Sequence, residues 1–292
     1  MFHQIINSSY RGVPGITVID SGKPGKNIAI FAITHGNEPI GLGVFDVLCN
    51  QYEIRNRLKT GKIYLVAVNI EAYGKYIQED DPNKNRFIHD NMNRISNKPH
   101  KEGSSEFRRF RELVPILDEI DIAIDLHSVP IGDDIIGIVD RKYLGQSLGF
   151  LDAETVLVDD IGNTGALTGY LLRQGKEAYG LECGNHTDSR AFETGVRNVL
   201  NLLVSQGVID GEVIRTHAAP QVFEFAEEIF PETDDFMFIK DYSGFSLVPE
   251  GEIFALDGGR GIKNTLGYDA FLGIPMKGAK KGDGAGFLFR RI

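Results

Sequence analysis

Asn27-Ile28-Ala29-Ile30-Phe31-Ala32-Ile33-Thr34-His35-Gly36-Asn37-Glu38-Pro39 is an apolar run that stops abruptly at a histidine, a glycine and a glutamate. A continuous apolar stretch of this length, bounded by turn residues, reads as a strand buried on both faces of a parallel sheet. Gly36 lets the backbone turn sharply after the strand, so His35 and Glu38 can point to one centre. Pro39 then opens an amphipathic helix over residues 40–49, as proline does at a first helical position. The histidine and glutamate therefore fall on a strand-to-helix turn at the carboxyl edge of a sheet, where open α/β folds place their ligands. A second apolar run, Asp121-Ile122-Ala123-Ile124-Asp125-Leu126-His127-Ser128, ends in another histidine. His-x-x-Glu alone arises by chance in many chains, and a strand-end histidine satisfied by hydrogen bonds is its plain alternative. Two imidazoles and a carboxylate converging at strand ends match a catalytic zinc site, which has three protein ligands and an open fourth position.

The rest of the chain alternates strands and helices. Residues 62–70 form a near-continuous apolar run and read as another buried strand. Residues 71–100 carry no such run and read as a long irregular loop, a kind that is usually functional. A helix is expected over 104–119, with Ser105 as its cap and a kink at Pro115. Strands at 155–158 and 179–182 and helices at 165–172 and 189–204 complete the pattern. This predicts an α/β fold: a mixed, mainly parallel central sheet with helices on both faces. After about residue 210 the period changes to alternation, with short strands at 221–230, 236–239 and 252–255. Glycines crowd residues 251–286, and no Gly-Lys-Ser/Thr element follows a strand there, so they read as turns between short strands. The expected division is a larger α/β domain over 1–210 and a small β-rich domain over 211–292.

Composition narrows the class. A chain of 292 residues with 42% hydrophobic and 25% charged residues is an ordinary globular sequence, long enough for a large core. A formal net charge of −10 argues against nucleic acid or an anionic membrane surface as partner. No stretch approaches the ~20 apolar residues of a membrane span. Met1-Phe2-His3-Gln4 lacks the basic and apolar regions of a signal peptide, so a cytoplasmic protein is expected. Cys49 is expected in the core, and Cys183 is expected to point away from its neighbour Glu182. Arg108, Arg109 and Arg111 read as a solvated helix face paired with Glu106 and Glu112.

Thr34-His35-Gly36-Asn37-Glu38-Pro39 with Asp125-Leu126-His127-Ser128 resembles the succinylglutamate desuccinylase/aspartoacylase family, zinc amidohydrolases related to metallocarboxypeptidases. Arg86-Phe87-Ile88-His89-Asp90-Asn91-Met92-Asn93-Arg94 is similar to that family's substrate segment, and Gly180-Leu181-Glu182-Cys183-Gly184 to the strand carrying its catalytic glutamate. The resemblance covers roughly residues 25–205. It implies a catalytic domain of zinc carboxypeptidase-like architecture over 1–210, with one zinc ion per chain held by His35, Glu38 and His127. It implies Glu182 as general base and then acid, and Arg86 facing the oxyanion. Asn93 and Arg94 would hold the substrate's α-carboxylate, Arg173 would contact its side chain, and the C-terminal region would help close the pocket. The substrate would be a small anionic N-acyl amino acid.

Plainer readings remain for the same residues. Glu182 could be a strand carboxylate paired with an arginine, and Arg86, Asn93 and Arg94 solvated loop residues. His89 reads as a structural neighbour of the substrate segment, and His186 as either a pocket or a surface residue. The rival functions are a metallocarboxypeptidase acting on short peptides and a non-catalytic, zinc-dependent ligand-binding protein. Oligomeric state is left open, a homo-oligomer included.

Overall fold

The computed structural model describes residues 6–79, 84–129 and 133–292. These fall into two compact units, Met1–Glu154 with Asp160–Pro220, and Thr155–Asp159 with Gln221–Ile292. Besides a two-stranded ribbon of Ser9–Tyr10 and Val13–Pro14, the strands of the first unit include β1 (Ile16–Asp20), β2 (Asn27–Ala32), β3 (Lys62–Ala67), β4 (Ile122–Val129) and β5 (Ile136–Asp140). After β6 (Thr155–Asp159), which belongs to the second unit, β7 (Glu177–Asn185) returns to the first. Its longer helices are α1 (Ile40–Asp46), α2 (Ile70–Tyr76), α3 (Ser105–Leu117), α4 (Leu144–Phe150), α5 (Leu167–Arg173) and α6 (Ser189–Ser205).

Within this unit the strands run in the order β5-β7-β4-β2-β3-β1. The inner four, β7, β4, β2 and β3, are parallel, while β1 and β5 pair antiparallel on the flanks. The sheet is therefore mixed and mainly parallel, as the strand–helix alternation predicts. Ile28 to Ala32 are fully buried, which is why β2 carries no polar alternation. On one face Ala29, Phe31, Tyr64, Val66, Ala123 and Ala178 pack against Phe107, Leu113 and Ile116 of α3 and Leu167 and Leu171 of α5. On the other face α1 lies over Ala32 and Leu126, and α6 packs against α1 and β7. Each fully buried Ile, Leu or Phe contributes about 1.5–3 kcal/mol relative to exposure, so the two apolar faces are what hold the sheet between its helices.

Local departures from the expected elements have local causes. β3 stops at Ala67 because Asn69 caps a helix, its side chain accepting from the Ala72 N–H at 3.3 Å. Helix α2 therefore occupies the start of the stretch read as irregular. Ser104, not Ser105, caps α3, and Pro115 sits within its last turn. Pro39 occupies the cap position of α1, and a π-helical turn, Val47–Gln51, follows that helix. Cys49 is only partly buried, against the expectation of a core residue, and Cys183 is buried. The basic cluster on α3 is not uniformly solvated. Arg109 is buried and donates to the carbonyls of Pro14, Ala67 and Val68, and Glu106 is fully buried.

The second unit contains β8 (Gln221–Ile229), β9 (Met237–Phe238), β10 (Ser246–Val248), β11 (Ile253–Asp257), β12 (Arg260–Lys263), β13 (Ala270–Gly273) and β14 (Gly286–Arg291). Its strands run β10-β13-β14-β8-β6, antiparallel except for the β8–β6 pair, and β9-β11-β12 form a separate antiparallel sheet. Val248, Phe254, Ala270, Leu272 and Leu288 are among the residues of its core. The C-terminal region is thus rich in short strands, with glycines at its turns.

Asp152 ties the end of the first unit's chain to its body. Its carboxylate is 2% exposed and accepts from the Thr216 N–H and hydroxyl, the His217 N–H and the Arg197 guanidinium at 2.6–3.1 Å. Burial alone would raise its pKa, but these donors hold it down at about 2, against 3.8 for a free aspartate. A carboxyl depressed in the folded state stabilises fully above its unfolded pKa and loses that effect as pH falls through the folded one. Asp152→Asn should therefore lower unfolding free energy by about 2 kcal/mol at pH 7, and the gap should narrow as pH falls from 4 towards 2. Urea midpoints of both proteins at pH 7, 4 and 3 check this; a gap independent of pH would contradict it.

Candidate metal centre

β2 leads into the site through a strained residue. Ile33 is fully buried and has a φ of +51°, a left-handed conformation that β-branched residues avoid. The turn that follows admits only glycine at position 36. A Cβ there would lie 2.5 Å from the Ala72 carbonyl carbon and from the Asn85 oxygen. The Gly36 N–H donates to the Arg86 carbonyl at 2.9 Å, so the Arg86–Arg94 segment packs backbone to backbone on the His35 turn.

His35, Glu38 and His127 meet there. The Nδ1 atoms of His35 and His127 lie 2.9 and 2.8 Å from the two Glu38 oxygens, and a ligand atom from each residue lies within 4.8 Å of the others. All three side chains are buried. Two imidazoles and one carboxylate, gathered by their Nδ1 and Oε atoms, form a donor set that a divalent transition-metal ion fits.

Neighbouring groups meet the remaining atoms of these three side chains. His127 Nε2 lies 3.1 Å from Asp125 Oδ2, and Asp125 Oδ1 accepts from the Thr34 hydroxyl at 2.7 Å. His35 Nε2 lies 3.1 Å from Asn91 Oδ1. An acceptor on the second ring nitrogen is the arrangement that would turn Nδ1 towards a bound metal. Burial opposes charge on His127, but the Asp125 and Glu38 carboxylates outweigh it and hold the imidazole well above its ordinary range. His35 is drawn down by burial against the pull of Glu38. Glu38 is buried too, yet the two imidazoles keep it well below the usual carboxylate range.

Glu182 stands beside this group. Parallel pairing of β4 with β7 places it directly opposite His127. Its Oε2 is buried and has no hydrogen-bond partner among the described residues. Burial pushes its pKa up to about 7; His127 and Arg86 oppose the shift, and Glu38 and Asp125 add to it.

Of the remaining residues singled out in the sequence, Arg86 donates to Glu38 and lies 3.2 Å from His35 Nε2. Asn93 Nδ2 lies 3.4 Å from His127 Nε2. Arg94 is exposed and donates to the Asn93 carbonyl. Arg173 is not brought to the group: its guanidinium is taken up by the carbonyls of Gly162, Thr164 and Ser96 and by the Ser96 hydroxyl. His89 Nδ1 accepts from the Ser105 N–H, a structural contact. His186 is half-buried, and its N–H pairs with the Val129 carbonyl at the end of β4.

Neither Asp125 nor Asn91 stands out in the sequence as a site residue, and Glu106, expected on a solvated helix face, is fully buried. Asp125 carried a signal: residues i and i+2 of a strand share a face, so Asp125 and His127 had to project together. Asn91 and Glu106 carried none, because their partners come from other segments.

A family model described as succinylglutamate desuccinylase/aspartoacylase catalytic domain matches residues 24–203. Among solved structures, succinylglutamate desuccinylase from Vibrio parahaemolyticus superimposes with a TM-score of 0.74 at 18% identity, covering 96% of this chain and 86% of that one. The desuccinylase from Chromobacterium violaceum gives 0.71 at 18% identity, with 96% and 89% covered. The product-bound ectoine utilization protein EutE (DoeB) from Ruegeria pomeroyi gives 0.68 at 16% identity, with 95% and 88% covered. Among curated protein sequences none matches the chain significantly. No helix of the described residues is long and apolar enough to cross a membrane.

The Asp125–His127 contact yields a direct test of the centre. Asp125→Asn keeps the shape of the side chain but removes the charge that orients the ring, and should weaken metal affinity about 10–100-fold. Competition with a chromophoric chelator measures this, and unchanged affinity would remove His127 from the ligand set.

Proposed function

Because the chain belongs to the succinylglutamate desuccinylase/aspartoacylase family, we propose that it is a zinc-dependent hydrolase that cleaves the amide bond of a small anionic N-acyl amino acid. The observation that carries this reading is the buried His35–Glu38–His127 group with the unpartnered carboxyl of Glu182 set against it. One zinc ion per chain, held by those three residues, would supply the Lewis acidity that brings the pKa of water from ~15.7 towards ~7. The relatives' names support an acylated amino acid as substrate class.

Glu182 takes the proton from the attacking water and returns it to the leaving amine. Burial raises this carboxyl towards neutrality, the direction that suits a group taking up and returning a proton. Arg86, already reaching the Glu38 carboxylate, offers a fixed fork of donors to the oxyanion that develops on the amide carbonyl. Asn93 and the exposed Arg94 hold the α-carboxylate, for which a guanidinium provides bidentate geometry. Arg173 supports Arg94 from behind. It binds Ser96 and the turn at Ile161–Asn163, and the Gly165 carbonyl that follows accepts from the N–H groups of Ile95 and Ser96. Gly165 packs so closely on the Arg94 backbone that a Cβ would collide with it.

A panel of N-acyl amino acids and dipeptides, read as released amine with and without a chelator, tests the function. Chelator-sensitive release from an acyl amino acid is expected; release from dipeptides alone would make the chain a peptidase, and zinc bound without any turnover a binding protein. Glu182→Gln should keep zinc but lower kcat by at least ~10²-fold. As the base must be ionised, kcat/KM should fall on the acid side with a midpoint at or below about pH 7, and that limb should vanish in Glu182→Gln. Arg94→Ala should raise KM about 10-fold or more for substrates with a free α-carboxylate and leave the corresponding amides unaffected. Equal effects on both would remove Arg94 from the pocket.

A further inference from the structure

Glu106 is fully buried on the first turn of α3 and has no cationic partner among the ion pairs of the described residues. Its carboxylate instead gathers neutral donors. One oxygen accepts from the Ile88 N–H at 2.7 Å and the Asn69 side-chain amide at 3.3 Å. The other accepts from the N–H groups of His89 and Asp90, both at 3.1 Å. Three consecutive backbone N–H groups converging on one anion form a nest, and an ionised acceptor makes such bonds roughly twice as strong as neutral ones. Burial would push this carboxyl up, and the backbone donors hold it below the usual range.

The nest closes at residues 88–90, in the middle of the segment that begins with Arg86 and ends with Arg94. On one side of it lies Arg86, whose carbonyl accepts from Gly36 and whose guanidinium meets Glu38 and His35. On the other side lie Asn91, which meets His35, and Asn93, which meets His127. Met92, fully buried in the same apolar cluster as Phe107, plugs the segment onto α3. We propose that Glu106 is a positioning residue for the reaction: its carboxylate binds the Ile88–Asp90 backbone and so holds Arg86, Asn93 and Arg94 in their working places. This rests on the roles given above to those three residues.

Glutamine is a near-isosteric probe. Each Glu106 oxygen takes two donors, so either orientation of the Gln amide turns an NH2 group against a backbone N–H and opens the nest. Hydrogen exchange of the segment 86–94 reads the positioning without any substrate. Glu106→Gln should speed exchange there about 10-fold or more while zinc stoichiometry and the exchange of the central strands stay near those of the native protein. In turnover, displacement of this kind should lower kcat/KM by on the order of 10²-fold. A double-mutant cycle with Arg94→Ala should be non-additive although Glu106 does not touch Arg94, because one change disorders what the other deletes. Should Glu106→Gln fail to fold, Glu106→Asp, which draws the charge back by one methylene, is read by the same exchange measurement. Unchanged exchange in the segment, or an additive cycle, overturns the proposal. A native enzyme that hydrolyses no N-acyl amino acid would sink the functional reading and leave the exchange result to decide the role of Glu106.

Discussion

The register of three parallel strands is the constraint on which the rest of the first unit depends. Phe31 of β2 lies opposite Asp125 of β4, and His127 of β4 lies opposite Glu182 of β7. A slip of one residue in either pairing would turn Asp125 and His127, or Glu182, to the opposite face of the sheet. The apolar residues fix that register: Ile28, Ile30, Ile122, Ile124, Tyr179 and Leu181 are fully buried. The hydrophobic burial that makes the sheet thus also sets which side chains meet at its carboxyl edge.

That edge concentrates charge where charge is expensive. Glu38, Asp125 and Glu182 carry three carboxyl groups into a region with two imidazoles, all at most partly reached by solvent. The structure offsets most of this with specific partners. Asp125 has Thr34 and His127, Glu38 has both imidazoles, Arg86 and the Ser128 N–H, and His35 has Asn91. Glu182 is the exception, with a buried oxygen left over, and it is the group whose pKa rises towards neutrality. An unsatisfied acidic group beside a well-satisfied set is the contrast that the proposed proton-carrying role of Glu182 calls for.

What the sequence made legible follows from how local each signal was. The His35–Glu38 turn was readable because strand, glycine, ligands and helix are contiguous. His127 was readable because its strand is an unbroken apolar run, and the mixed, mainly parallel sheet followed from the alternation around both. Helix α2 was lost because its apolar face is short and its decisive cue, the Asn69 cap, is one side chain. Glu106 and Arg109 looked like surface charges because periodicity reports only that a residue lies on a helix, not what the helix faces. Arg109 lies against the carbonyls of Pro14, Ala67 and Val68, and Glu106 against N–H groups of residues 88–90. These are long-range backbone partners, which no side-chain pattern encodes. Arg173 entered only through the family resemblance, and in the structure neighbouring carbonyls take up its donors.

The two buried charges of α3 explain how an irregular segment can carry rigid chemistry. Residues 84–91 have no helix or strand to satisfy their backbone groups, and only a short 3₁₀ turn, Met92–Arg94, follows. Such a segment would pay the conformational entropy of ordering without the ladder that normally repays it. Here the anion of Glu106 takes N–H groups from the segment, while the cation of Arg109, one helical turn further on, takes the carbonyls at the end of β3. Helix α3 is thereby fixed to the sheet by one charge and holds the segment with the other. Because an ionised group loses more than a neutral one when its partners move away, the arrangement resists small displacements more strongly than ordinary loop hydrogen bonds would. Arg86 and Asn93 are then placed by the sheet itself, through α3, rather than by the loop that carries them.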